Sequence, residues 1–238
     1  MPIPSSPPPS FFVPVLYQDA HVLVVDKPGG LLVHRSREAR REPALLQIVR
    51  DQTGHYLYPA HRLDRATSGV LAFGLDSQAA AGLQAGLQAP STRKTYHVLV
   101  RGRLPEEGES LRPLTNRTTG RKQEAHSTWR RRAVIELPES TLSLAAVWLH
   151  TGRRHQIRRH MAALAHQVVG DTTYGKGRLN RALRAQYGLP RLVLHASSLE
   201  VDHPSGQGRL HVRAPLATDL RAFLMRLPGI DPEQVAGM

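Results

Sequence analysis

The segment His61-Arg62-Leu63-Asp64-Arg65-Ala66-Thr67-Ser68-Gly69 constrains this chain more than any other. It sets one carboxylate between two arginines and puts a turn of small residues directly behind it. The apolar run 70–75 follows at once and reads as a strand that holds the turn in place. A carboxylate so flanked is an anion at neutral pH. On a braced turn it is a candidate nucleophile or electrostatic stabiliser. An isolated Asp–Arg pair, by contrast, is usually a turn cap or a structural ion pair. Other segments of the chain have to decide between the two.

Charge narrows the partners. The chain has 238 residues and a formal net charge of +13, which favours a polyanion and, first among these, a nucleic acid. Only four of the 32 basic residues are lysines, the other 28 being arginines, which suit phosphate clamps and base stacking. A genome that drifts lysine codons to arginine gives the same bias, so the charge carries the argument. With no cysteine, disulfides, thiolate zinc sites and cysteine nucleophiles are excluded. No apolar run approaches the roughly 18 residues of a membrane helix, and the proline-rich start is unlike a signal peptide. A cytoplasmic protein without membrane attachment is the expectation.

The pattern predicts a flexible leader over 1–12, a folded domain over 13–228 and a tail over 229–238. Strands are expected at 15–17, 22–25, 70–75, 95–100, 142–149, 192–201 and 210–212. Helices are expected at 44–52, 77–88 (capped by Ser77), 154–166 and 217–227. Residues 35–43 and 105–121 read as loops, the second leading into the basic run Arg130–Arg132. Helical spacing puts Ile157, Met161, Leu164 and Val168 on one buried side. Strands and helices mix without the alternation of a doubly wound sheet. The fold class is therefore α+β, one domain on a mixed, mostly antiparallel sheet flanked by helices and loops.

A second constellation is Thr151-Gly152-Arg153-Arg154-His155-Gln156-Ile157-Arg158-Arg159-His160. His155 and His160 are five residues apart with no acid between them, which does not suit the metal-binding helix pattern, so no metal is expected. Together with Asp26-Lys27-Pro28-Gly29-Gly30, Arg93–Val100 around Tyr96, Gly170–Gly175 and Arg191–Ala196, these segments resemble the RluA-type pseudouridine synthases. The resemblance spans roughly residues 15–215. It departs from the family pattern at Gln167, where proline is usual, and at Gln123, where lysine is frequent.

The resemblance implies a pseudouridine-synthase-like catalytic domain that isomerises a uridine in RNA without cofactor. Asp64 would perform the chemistry, Arg158 would pair with it, and Tyr96 would stack on the uracil. Arg62 would fill the place of the flipped base, His61 would lie at the substrate, and Ile157 and Leu194 would wall the base pocket. The Gly170–Gly175 turn would be structural. One carboxylate suffices for this reaction, whereas a glycosidase usually wants two flanking the bond. Several stretches, among them Val49–Gly54 and the 179–189 insert, are most similar to the TruC-type tRNA pseudouridine synthases. The expected partner is thus tRNA, modified in its T-arm region by a monomer that lacks an S4-type RNA-binding module. A ribosomal-RNA enzyme of the same family and a non-catalytic RNA-binding protein are the alternatives.

Overall fold

A computed structural model describes residues 12–34 and 43–238. The expected leader and the 35–43 loop fall, all but their last residues, outside the described residues. The chain runs β1 (Val15–Gln18), β2 (Val22–Lys27), α1 (Leu45–Thr53), β3 (Tyr58–Pro59), β4 (Ser68–Gly74), α2 (Ser77–Gly86) and β5 (Arg93–Arg101). Four strands follow, β6 (Glu107–Ser110), β7 (Leu114–Thr115), β8 (Lys122–Gln123) and β9 (Ser127–Leu137), then β10 (Ser140–Leu149). The rest is α3 (Gln156–Ala163), α4 (Gly177–Tyr187), β11 (Leu194–Asp202), β12 (Arg209–Arg213), α5 (Thr218–Leu224) and α6 (Pro232–Ala236).

One sheet runs in the order β1-β2-β4-β11-β5-β10-β9-β6, with β12 paired to β11 and β3 to β4. Every pairing in it is antiparallel except β4 with β11, which run parallel at Ser68–His195 and Gly69–Ala196. The α+β architecture expected from the sequence is therefore present.

Strand periodicity explains the layering. In β2 and β4, Leu23, Val25, Leu71 and Phe73 pack with Leu45 and Val49 of α1. The alternate residues Val22, Val24, Val70 and Ala72 pack with Leu83 of α2. Both faces are thus covered, which is why these strands read as unbroken apolar runs. Farther along, Leu99, Leu142 and Leu144 face α4, α5 and α6. Val98, Val100, Ala145 and Val147 face Ile157 and Met161 of α3.

Some expectations need correction. The cap of α2 is Asp76, whose side chain accepts from the Ala79 amide at 2.7 Å, because Asp76 is extended while Ser77 is already helical. Residues 105–121 are not one loop: they contain β6 and β7, and β7 forms a hairpin with β8. The arginines 130–132 belong to β9, where they lie between buried Trp129 and Ile135 and mask a strand. Helix α3 stops at Ala163, since Ala165 takes a left-handed φ of 62°, leaving Leu164 exposed and Val168 buried beyond the helix. Within 229–238, α6 buries Val235 against the α4–α5 layer.

Candidate active site

The parallel junction of β4 and β11 places the aspartate. Gly69 has φ 110°, and a Cβ there would lie 2.1 Å from the Ala196 carbonyl oxygen, so only glycine lets the strands meet. Ser68 joins the same junction. Its hydroxyl accepts from Nη2 of Arg191 at 3.0 Å and donates to Nδ1 of His195 at 2.9 Å. Arg191 also donates to the Ala66 carbonyl at 2.9 Å and grips Asp219 with two nitrogens, at 2.7 and 2.9 Å. Gly29 leaves space for it, since a Cβ there would come within 2.3 Å of Nε of Arg191.

Lys27 tightens the turn from the other side. Its side chain is wholly buried and donates to the carbonyls of Pro28 (2.8 Å), Arg65 (3.2 Å) and Thr67 (2.8 Å). Burial, with Arg191 adding to the effect, pushes the ammonium down to about 7. Asp64 thus projects from a turn whose carbonyls are held by two basic side chains, Lys27 and Arg191.

The second constellation supplies the partner. Gln156, buried at the first turn of α3, accepts from Thr151 Oγ1 (2.7 Å) and from the Arg153 amide (2.9 Å), which sets the 151–155 turn. Two residues on, in the same first turn of α3, Arg158 faces Asp64. Nη1 of Arg158 donates to Oδ2 of Asp64 at 2.9 Å. Its other edge forms a two-pronged pair with Asp171, Nε to Oδ2 at 2.7 Å and Nη2 to Oδ1 at 2.9 Å. Burial opposes the charge of Arg158, but the hydrogen bonds to Asp171 and Asp64 outweigh it and raise its affinity for the proton. Burial likewise opposes ionisation of Asp171, and Arg158 with the amides of Tyr174 and Thr173 more than reverses that, holding its carboxyl below the usual range.

Around Asp64 lies a cavity of about 530 Å³, within the size range of small-ligand sites. Asp64, Arg158, Tyr96, His61, Arg62, Ile157 and Leu194 all line it. Ile157 and Leu194 are buried and supply its apolar wall. Burial, aided by the charge of Asp64, pushes the Tyr96 phenol up, so it stands over the cavity as a neutral ring. Arg62 is exposed and lines a second cavity as well, of about 360 Å³, ringed by Arg117, Arg153, Arg154 and Arg159. His61 turns its Nε2 to the Ala72 amide at 3.0 Å, and burial lowers its pKa to about 4, so it braces β4 as a neutral ring.

Four residues of this site were not singled out by sequence: Lys27, Asp171, Arg191 and Gln156. Lys27, Asp171 and Arg191 act through partners distant in the chain, while Gln156 shapes the turn just before its own helix. Among the described residues no cluster of three or more His, Cys, Asp or Glu is placed to hold a metal ion.

Comparison with known proteins gives the family. The family model for RNA pseudouridylate synthase matches residues 21–163, a span that includes Asp64, Tyr96 and Arg158. The chain belongs to the RNA pseudouridylate synthase family. It is 40% identical over 218 residues to the tRNA pseudouridine synthase C of Vibrio vulnificus (strain CMCP6), covering 84% of this chain and 89% of that protein. To the tRNA pseudouridine synthase C of Vibrio cholerae serotype O1 it is 41% identical over 220 residues, covering 85% and 90%. Among solved structures, human RNA pseudouridylate synthase domain containing 1 superposes with a TM-score of 0.72 at 24% identity. That superposition covers 92% of this chain and 90% of the human one, and shows a shared fold. No helix of the described residues is long and apolar enough to cross a membrane.

Proposed function

We propose that this pseudouridine synthase isomerises a uridine of tRNA, in the T-arm region, with Asp64 as the carboxylate that acts on the flipped nucleotide. The observation that carries the reading is the ion pair of Asp64 with Arg158 at the edge of the 530 Å³ cavity. The reaction breaks the C1′–N1 bond, turns the uracil, forms C1′–C5 and releases the C5 proton. The described pocket suits these needs. An oriented anion faces the place where positive charge develops on the sugar, apolar walls shed water from the base, and a neutral aromatic ring offers a stacking face. A nucleotide inside a stacked arm has to leave its stack to reach Asp64, and in this reading exposed Arg62 fills the gap. The arginine-ringed cavity beside it suits the flanking phosphates. Identity of about 40% to two enzymes named tRNA pseudouridine synthase C supports tRNA over ribosomal RNA.

The test is tritium release from RNA labelled at uracil C5. Release from tRNA, lost in Asp64→Ala with binding retained, is the expected result. Release from ribosomal RNA alone would move the substrate, and tight binding without release would leave an RNA-binding protein. Action as a monomer in the cytoplasm belongs to the same proposal, and sedimentation and cell fractionation test it.

A further inference from the structure

Asp64 has two carboxylate oxygens, and Arg158 serves only one. The other, Oδ1, lies 3.5 Å from Nε2 of His155, whose side chain is 17% exposed. His155 caps α3 with φ 54° and ψ 32°, in the left-handed region. A residue with a Cβ is disfavoured there, and such strain gathers at functional sites. Glycine would take the same backbone without strain. The position instead carries an imidazole aimed at the carboxylate.

The far side of the ring is also occupied. Nδ1 of His155 lies 3.3 Å from the Tyr174 hydroxyl, and the two rings meet edge to face at 5.8 Å. That hydroxyl lies 3.3 Å from Nη2 of Arg117, on the turn between β7 and β8. Donor chemistry gives the series one direction. A guanidinium only donates, so the Tyr174 oxygen accepts from Arg117, and an ionised carboxylate only accepts, so in a neutral ring Nε2 carries the proton and Nδ1 accepts that of Tyr174. An accepting Nδ1 leaves the ring proton on Nε2, directed at Oδ1 of Asp64. Burial, reinforced by Arg158 and Arg154 against the pull of Asp64 and Asp171, keeps the imidazole neutral, as an accepting Nδ1 requires.

We propose that His155 is a positioning residue that holds the second oxygen of Asp64, with Tyr174 fixing its tautomer and Arg117 tying the series to the β7–β8 hairpin. The proposal rests on the reading of Asp64 as the reacting carboxylate. Two anchors on two oxygens stop rotation of the carboxylate about its Cβ–Cγ bond, which Arg158 alone does not. The strained backbone of His155 is then the cost of placing that anchor.

His155→Gly separates this role from a helix cap, because it removes the imidazole and relieves the backbone at once. The measurements are kcat and KM for tritium release from tRNA, with melting temperature and RNA affinity, for wild type, Asp64→Ala, His155→Gly, His155→Gln and Tyr174→Phe. His155→Gly is expected to keep or raise the melting temperature while kcat falls about tenfold or more, with KM little changed. His155→Gln, whose amide nitrogen reaches the place of Nε2, should recover part of that loss. Tyr174→Phe should lower kcat by a smaller factor. Wild-type kcat in His155→Gly, with Asp64→Ala inactive, would overturn the role of His155 alone. Activity in Asp64→Ala would instead overturn the reading on which it rests.

Discussion

Arg158 meets Asp171 through two parallel hydrogen bonds, of 2.7 and 2.9 Å, and has one nitrogen left for Asp64. The two-pronged pair fixes the plane of the guanidinium, so the direction of the third bond is set before substrate arrives. Asp171 is itself held, accepting from the amides of Thr173 (2.8 Å) and Tyr174 (2.9 Å), while its carbonyl accepts from Asn180 Nδ2 at 3.0 Å. Asp171→Asn puts an N–H opposite a nitrogen of Arg158 that has only N–H to offer. Breaking a buried pair in this way costs about 3–5 kcal/mol. The expected outcome is a lower melting temperature together with a kcat for tritium release at least about tenfold down. Stability lost at unchanged kcat would show that Asp171 supports the fold and not the orientation of Arg158.

Gly69→Ala tests the junction that carries the turn. Its Cβ would sit 2.1 Å from the Ala196 carbonyl oxygen on a backbone with φ 110°, so contact and conformation both oppose it. Neither neighbour is a flexible side-chain end that could yield. A loss of about 3 kcal/mol or more in urea unfolding is expected. By comparison Gly120→Ala, where no atom lies within 4 Å of the added Cβ, should cost only the strain of its φ of 69°.

These two positions also mark what could be read in the sequence. Strands β2, β4, β10 and β11 follow from their apolar runs, β5 from its alternation, and α1 from its spacing and the Gly54 at its end. Asp64 and Arg158 stood out because their local patterns are unusual, though they are 94 residues apart. Asp171, Arg191 and Lys27 did not, because their roles depend on which distant groups they meet, the Arg158 guanidinium for the first and backbone carbonyls for the other two. Nothing near Arg191 in the chain tells that it will reach the Ala66 carbonyl. Strand β9 escaped for another reason: three consecutive arginines look like a basic loop unless buried Trp129 and Ile135 on either side are counted.

Affinity for RNA should depend on salt through the exposed arginines. Arg154 lines the 360 Å³ cavity and is exposed. If it neutralises one phosphate, Arg154→Ala lowers the slope of log K against log salt by about 0.7–0.9. Titrations of tRNA at several salt concentrations measure it. An unchanged slope would place the backbone path elsewhere.

Acid should destabilise the fold in part through the junction beneath the aspartate's turn. His195 is wholly buried, takes the Ser68 proton on Nδ1, and donates from Nε2 to the Ala214 carbonyl at 3.3 Å. Burial, with Arg191 nearby, lowers its pKa to about 4. In the unfolded chain a histidine takes its proton near 6.5, so between about 6.5 and 4 the unfolded state binds more protons than the folded one. Stability therefore falls as pH drops through that window, by up to about 1.4 kcal/mol per pH unit for this one group, and is flat in this term below it. His61 and His97, also lowered to about 4 mainly by burial, act in the same sense. Protonation of His195 also puts a donor on Nδ1, where Ser68 needs an acceptor, and the β4–β11 junction under Asp64 loses its lock. His195→Gln removes one of the three protons. The stability difference between wild type and this variant, followed by urea unfolding from pH 4.5 to 6.5, should grow with pH at close to that slope. A difference independent of pH would mean that His195 is not held neutral in the fold.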